Sequence, residues 1–373
     1  MTRASFESDY NNGCLPEILR RLSETNDEKS SGYGFDPYTE RAKDRIRKAC
    51  DMTEAEVHFL VGGTQTNATA IDSLLQGCEG VLSVDTGHIN VHESGAVEAF
   101  GHKVLVLPGI AGGKMAASQI NDYMRKFLAD ETYPHMVQPG MVYITLPTEL
   151  GALYSRKELA DIYTVCQQYG LRLYVDGARL GYGLMAEGND ITRGEMCELA
   201  VYAFEKATGN DIDLPFLAHH CDAFYIGGTK VGALLGEALV YTNTRAPKYI
   251  FTIIKRHGAL LAKGRVLGLQ FDTLFTDDLY FRVSRHAIDM AQALRKVFAK
   301  HGLSLGIDSP TNQQFVILSK EQKQQLAEEI AFEIWEPLSD DRLLCRFVTC
   351  WATTEADIVA LDEALAHILE VNT

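Results

Sequence analysis

The apolar residues of this chain gather into short runs. Such runs occupy 57–61, 81–84, 103–107, 141–146, 171–175, 223–227 and 238–242, and each stops at small, polar or proline residues. Runs of this length, rich in β-branched and aromatic side chains, are what parallel strands buried on both faces show. Amphipathic helices lie between several of them. In one, Leu159, Ile162, Tyr163 and Cys166 fall at i, i+3, i+4 and i+7. The alternation predicts an α/β fold: a doubly wound, mainly parallel seven-stranded sheet flanked by helices.

The rhythm changes past about residue 270. A helix at 278–300 is followed by short strands at 303–307, 314–319, 332–336 and 344–349, then a helix over 354–370 with Thr354 as its N-cap. Before residue 51 the chain is polar and glycine-bearing. It turns at Asn11-Asn12-Gly13, loops at Ser30-Ser31-Gly32-Tyr33-Gly34, and becomes helical over 39–49. The expected organisation is an N-terminal arm and helix (1–50), a large α/β domain (51–270) and a small C-terminal α+β domain (271–373).

Composition narrows the class. The chain has 373 residues, 46% hydrophobic and 23% charged, as in ordinary globular proteins. A net charge of −15 argues against a nucleic-acid surface. No run approaches the length needed to span a bilayer, and the polar start, Met1-Thr2-Arg3-Ala4-Ser5, has no apolar targeting core. The eight cysteines are scattered without a Cys-x-x-Cys pair, so a metal site is not expected and a reducing, cytoplasmic setting is.

The candidate chemistry sits where the apolar runs end. Ligands of doubly wound sheets lie outside the carboxyl ends of the strands. Asp176 ends the run Leu-Tyr-Val-Asp-Gly-Ala-Arg, and Lys230 follows Ile-Gly-Gly-Thr. A third element, Val61-Gly62-Gly63-Thr64-Gln65-Thr66-Asn67, leads from a strand through two glycines into a helix. A helix start of this kind, with free N–H groups, suits a phosphate. Neither a dinucleotide fingerprint nor a P-loop is present: Gly113-Lys114 is followed by Met115, and Pro108 stands where a P-loop needs its first glycine. An amine, an acid and a phosphate site at one sheet edge are what pyridoxal 5′-phosphate (PLP) requires. The lysine forms the Schiff base, and the aspartate keeps the pyridine nitrogen protonated.

These segments, together with Phe6-Glu7-Ser8-Asp9-Tyr10, Tyr33-Gly34-Phe35-Asp36, His88-Ile89-Asn90-Val91-His92-Glu93-Ser94-Gly95-Ala96, Pro147-Thr148-Glu149-Leu150-Gly151 and Arg346-Phe347-Val348-Thr349, resemble the threonine aldolase and β-eliminating lyase branch of fold-type I PLP enzymes. The resemblance spans nearly the whole chain. It implies a PLP-dependent aldolase cleaving L-threonine or L-allo-threonine-type β-hydroxy-α-amino acids to glycine and an aldehyde, and a homodimer or homotetramer.

It also implies roles. Lys230 would carry the cofactor, Asp176 would face its pyridine nitrogen and His88 would stack on its ring. Gly63, Thr64 and Gln65, with Thr229, would hold the phosphate. Arg179 would reach the cofactor's phenolic oxygen or the substrate. Arg346 and Ser8 would hold the substrate carboxylate, a task suited to arginine's planar fork. Tyr33 is similar to a residue donated across a dimer interface into the neighbouring site. Many threonine aldolases have a histidine directly after the threonine of Pro147-Thr148. Here Glu149 takes that place and would accept the β-hydroxyl proton. The same substitution keeps β-elimination on another β-substituted amino acid as the alternative. Cys350 and Trp351 stand where a histidine and an aromatic residue are common, and an insert around 186–215 is expected to reshape the entrance.

Overall fold

The computed structural model of the protein describes residues 3–186, 212–242 and 246–371. Its strands, in chain order, are β1 (Ala4–Ser5), β2 (Glu56–Leu60), β3 (Glu79–Val84), β4 (Val104–Leu107), β5 (Gln138–Thr145), β6 (Arg172–Asp176), β7 (Ala223–Gly227), β8 (Glu237–Tyr241), β9 (Leu305–Ile307), β10 (Gln313–Ser319), β11 (Ile330–Ala331), β12 (Glu333–Pro337) and β13 (Arg342–Val348). Seven form one sheet in the order β2-β8-β7-β6-β5-β3-β4. Only β8 runs against its neighbours there; the other pairings are parallel. All seven expected strands are present, within a few residues of their expected limits. The fold is the α/β arrangement that the sequence predicts, a mainly parallel seven-stranded sheet flanked by helices.

The sheet is buried on both faces because its strands are apolar on both. Val142, Val175, Phe224 and Ile226 belong to the core on one side. Met141, Tyr143, Tyr174 and Tyr225 belong to the core on the other. The helix Arg156–Tyr169 shows why the flanking segments turn helical. Ser155 accepts the Glu158 N–H, Glu158 accepts the Ser155 N–H at 2.8 Å, and Gly170 ends the helix at φ 69°. Leu159, Ile162 and Cys166 form its buried face, as their spacing predicts.

The C-terminal part is a smaller α+β unit around an antiparallel sheet, β12-β13-β10-β9. The helix Leu279–Lys300 serves both units: Tyr280, Phe281 and Ile288 pack in the large core, and Leu294, Val297 and Phe298 in the small one. The helix Glu355–Val371 closes the small core. Thr354 Oγ1 accepts the Asp357 N–H at its start. The helices Arg265–Leu274 and Lys320–Glu329 were not anticipated from the sequence.

The N-terminal arm joins the two units. β1 pairs in parallel with β11, and Phe6 is buried against Phe347 in the small core. The Leu15 N–H then donates to the Gly232 carbonyl, in the turn that carries Lys230, at 2.9 Å. Ser8, Asp9 and Tyr10 lie between these two anchors. Among the described residues no helix is long and apolar enough to cross a membrane.

Candidate active site

The ends of β6 and β7 bring the two key segments together. The Gly227 N–H donates to the Gly177 carbonyl at 2.9 Å. A Cβ at Gly177 would stand 2.0 Å from the Tyr225 carbonyl oxygen, and one at Gly227 would stand 2.2 Å from that of Ala178. The Asp-Gly and Gly-Gly pairs are therefore the condition for the two strand ends to touch.

Asp176, the last residue of β6, is buried. Its Oδ2 accepts from the Asn67 amide at 2.8 Å and the Tyr143 hydroxyl at 2.7 Å, and its Oδ1 from the Ala178 N–H at 2.9 Å. Asn67 also donates to Glu93 at 2.7 Å, and His88 Nδ1 lies 2.8 Å from the same Glu93 oxygen. A continuous network thus joins Asp176 to His88. Burial pulls the imidazole of His88 down, but its hydrogen bond to Glu93 and the fields of Glu149 and Asp176 outweigh this and leave it above its ordinary value.

In front of this network opens a cleft of about 650 Å³, lined in part by His88, Glu149, Arg179, Lys230 and Arg346. Five sequence-predicted residues thus meet in one space. Lys230 Nζ lies 6.0 Å from the Tyr10 ring centre, and the Lys230 carbonyl accepts the Tyr182 hydroxyl. Burial, with the guanidinium of Arg179, holds the Lys230 amine below its ordinary value against the pull of Asp9, Glu149 and Asp176. Arg179 is fastened by a two-point bond to Asp9, at 2.7 and 3.1 Å. Burial opposes the charge on Asp9, but Arg179 and Lys230 outweigh it and hold the carboxyl below its ordinary range.

The remaining candidates lie around the cleft. Gly63 begins the helix Gly63–Leu74, capped by the extended Gly62. The first intrahelical bond is Thr66 N–H to the Gly62 carbonyl, so the N–H groups of Gly63, Thr64 and Gln65 precede the helical ladder. Asn67, on the same helix, ties this terminus to Asp176. A side chain at Gly63 would press on the Tyr225 hydroxyl, 3.2 Å from its Cβ. Ser8 is buried, and its hydroxyl has no hydrogen-bond partner among the described residues.

Thr229 is differently employed from its expected part. Its N–H donates to the Gly236 carbonyl at 3.1 Å and its hydroxyl to Glu237 at 2.8 Å, so its donors are spent within its own turn. Tyr33 lies outside this cleft. It lines a separate pocket with Phe35 and Phe251, has the left-handed φ of 58°, and carries Lys255 over its ring at 4.9 Å. The expected insert falls mostly at 187–211, outside the described residues.

Sequence reasoning missed Asp9, Tyr10, His92, Asn67, Glu93, Glu237, Glu333 and Trp335. His92 lines the cleft, its ring 5.6 Å from that of His88. The i, i+4 spacing of the two histidines was the available signal. Glu237 is buried, accepts the Gly228 N–H and Thr229 hydroxyl, and is pushed up to about 7 by burial. Its position at the edge of an apolar run gave no sign of this.

The donor set fits PLP. An amine of lowered basicity faces the cleft, a buried carboxylate held by three donors stands behind it, and a glycine-led helix terminus adjoins them. Unpartnered buried oxygens remain on Ser8 and Glu93.

Known proteins resemble this chain along nearly its whole length. The family model described as the beta-eliminating lyases matches residues 6–333. The low specificity L-threonine aldolase of a Pseudomonas species is 30% identical over 356 residues, covering 95% of this chain and 94% of that protein. That of Pseudomonas aeruginosa is 30% identical over 317 residues, covering 84% of each. The solved threonine aldolase of Leishmania major superposes with a TM-score of 0.89 at 36% identity, covering 98% of this chain and 99% of its own. With its lysine, aspartate and glycine-led helix meeting at one sheet edge, and the family's pattern running from residue 6 to residue 333, this protein belongs to the beta-eliminating lyase family.

Proposed function

We propose that the protein is a PLP-dependent carbon–carbon lyase that cleaves L-threonine and L-allo-threonine-type β-hydroxy-α-amino acids to glycine and an aldehyde. The observation that carries this reading is the cleft shared by Lys230, His88, Glu149, Arg179 and Arg346, in a chain 36% identical to a threonine aldolase over nearly its full length.

Bound PLP supplies an electron sink for a bond broken at the substrate's Cα. The residues that would hold it are Lys230, Asp176, His88 and the helix terminus at Gly63, Thr64 and Gln65. The lowered basicity of Lys230 favours its neutral, nucleophilic form. Asp176 has the charge and fixed orientation to keep a ring nitrogen protonated. Arg179 is held rigid by Asp9 and lines the cleft. Arg346, with Ser8, would orient the substrate carboxylate and so select which Cα bond is presented for cleavage. Glu149 takes the proton of the β-hydroxyl, which opens the Cα–Cβ bond. Were Lys230 instead to take the Cα proton, elimination would follow on the same scaffold.

Tyr33 does not line its own cleft and lies in an exposed patch with Phe35 and Phe251. This supports a homodimer, or a tetramer built from it, in which Tyr33 completes the neighbouring site. The seven described cysteines are unpaired, which supports a cytoplasmic setting. The division at residues 50 and 270 is part of the same reading.

The test is product analysis after incubating the PLP-loaded protein with L-threonine and with L-allo-threonine. Glycine with acetaldehyde is expected. Formation of 2-oxobutanoate with ammonia would replace the aldolase reading by elimination.

A further inference from the structure

The arginine assigned to the substrate carboxylate already holds a carboxylate of the protein's own. In the register of β12 on β13, Glu333 stands directly opposite Arg346. The ladder then shifts: Ile334 pairs with Cys345 and Glu336 with Leu344, leaving Trp335 as an extra residue. A bulge of this kind re-aims side chains at a sheet edge, and β12 is the edge strand of its sheet. The Arg346 guanidinium consequently sits 5.0 Å from the Trp335 ring centre. Its Nη1 donates to Gln313 at 3.0 Å, its Nη2 pairs with Glu333, and its Nε is buried without a partner among the described residues.

The two partners differ in freedom. The Arg346 side chain is 10% exposed and is fixed by Gln313 and Trp335, whereas the Glu333 side chain is 42% exposed. Both line the cleft, together with Ile334 and Trp335. An incoming α-carboxylate therefore meets an arginine whose Nη1 and Nη2 are both engaged, with a like charge beside it. Glu333 is the group able to leave.

We propose that Glu333 is an internal stand-in for the substrate carboxylate, occupying Arg346 in the empty cleft and giving way when an amino acid binds. It lowers the population of the binding-competent cleft, and the apparent dissociation constant rises by the inverse of that fraction. Glu333 thus sets how much amino acid the enzyme needs, acting through Arg346. The proposal rests on the reading of Arg346 as the carboxylate clamp.

Glycine tests it, because it carries the carboxylate without a Cα–Cβ bond to cleave. Its binding to the PLP-loaded protein is followed by titrating the cofactor's visible absorbance in the wild type, Glu333→Gln, Glu333→Ala and Arg346→Ala. Removing the competing charge should tighten glycine binding by about 3- to 10-fold in both Glu333 variants, as expected for release of a partly occupied site. The matching gain with threonine should fall on KM rather than kcat. Arg346→Ala should weaken glycine binding. Weaker or unchanged binding in both Glu333 variants, with Arg346→Ala still impaired, would overturn the stand-in and leave the clamp in place. Unchanged binding in Arg346→Ala would remove the clamp, and the stand-in with it.

Discussion

Asn67 and Asp176 lie 109 positions apart in the chain and 2.8 Å apart in space. The amide that reaches Asp176 also reaches Glu93, at 2.7 Å, so one nitrogen spends both its hydrogens on two buried carboxylates. Its oxygen accepts from the Tyr174 hydroxyl at 2.9 Å. Asn67 is the joint between the helix that would bind phosphate and the aspartate that would bind the ring.

Replacing it with alanine removes these bonds and leaves buried acceptors short of donors. Asn67→Ala should cost roughly 1–3 kcal/mol of stability, measured by denaturant unfolding, and should weaken cofactor binding. Asn67→Asp should cost more, because a third acid would join two.

Lys230→Ala should abolish borohydride-stable attachment of the cofactor while the protein remains folded, since the side chain's amine points into the cleft and its backbone carbonyl keeps the Tyr182 bond. Mass spectrometry of the reduced protein decides this. An adduct surviving on the variant would place the attachment elsewhere.

Asp176→Asn should retain the cofactor but lose turnover by about 10²- to 10⁴-fold, the range associated with losing a placed proton partner. The amide keeps a hydrogen-bonding oxygen for Tyr143 but has no charge with which to hold a ring nitrogen protonated. Absorbance and steady-state rates on the same sample separate the two effects. Near-normal turnover would remove the role.

Glu237 predicts a pH dependence of stability. Burial raises it to about 7 in the folded protein, above the roughly 4.3 of an unfolded glutamate. The folded state then holds a proton that the unfolded state has released. The contribution is complete below the lower value and is lost as pH rises through the higher one, at up to about 1.4 kcal/mol per pH unit. Thermal unfolding from pH 5 to pH 8 should fall less steeply in Glu237→Gln than in the wild type. Parallel curves would show that Glu237 is ionised throughout.

The strands were legible because a parallel strand covered on both faces must be apolar along its length. Lys230, Asp176 and Gly63 were legible for the same reason, since each stands where such a run stops. Asp9 was not: its value depends on an arm crossing from β11 to the turn after β7, which no local pattern encodes. Glu237 looked like the polar margin of an apolar run, and only its neighbours Gly228 and Thr229 reveal its burden. Glu333 and Trp335 depend on a one-residue slip in pairing, and a slip changes which side chains face the cleft without changing composition.

The pairing of Ala4–Ser5 with Ile330–Ala331 has a consequence for synthesis. Ala4 and Ser5 find their partners only 326 positions later in the chain. The large sheet, complete by Tyr241, can form well before then. Asp9, carried between the two anchors of the arm, reaches Arg179 as a late event. A nascent chain is thus expected to own its scaffold long before it owns a finished cleft, and an enzyme cut short before residue 330 would be folded in its larger part yet chemically unassembled.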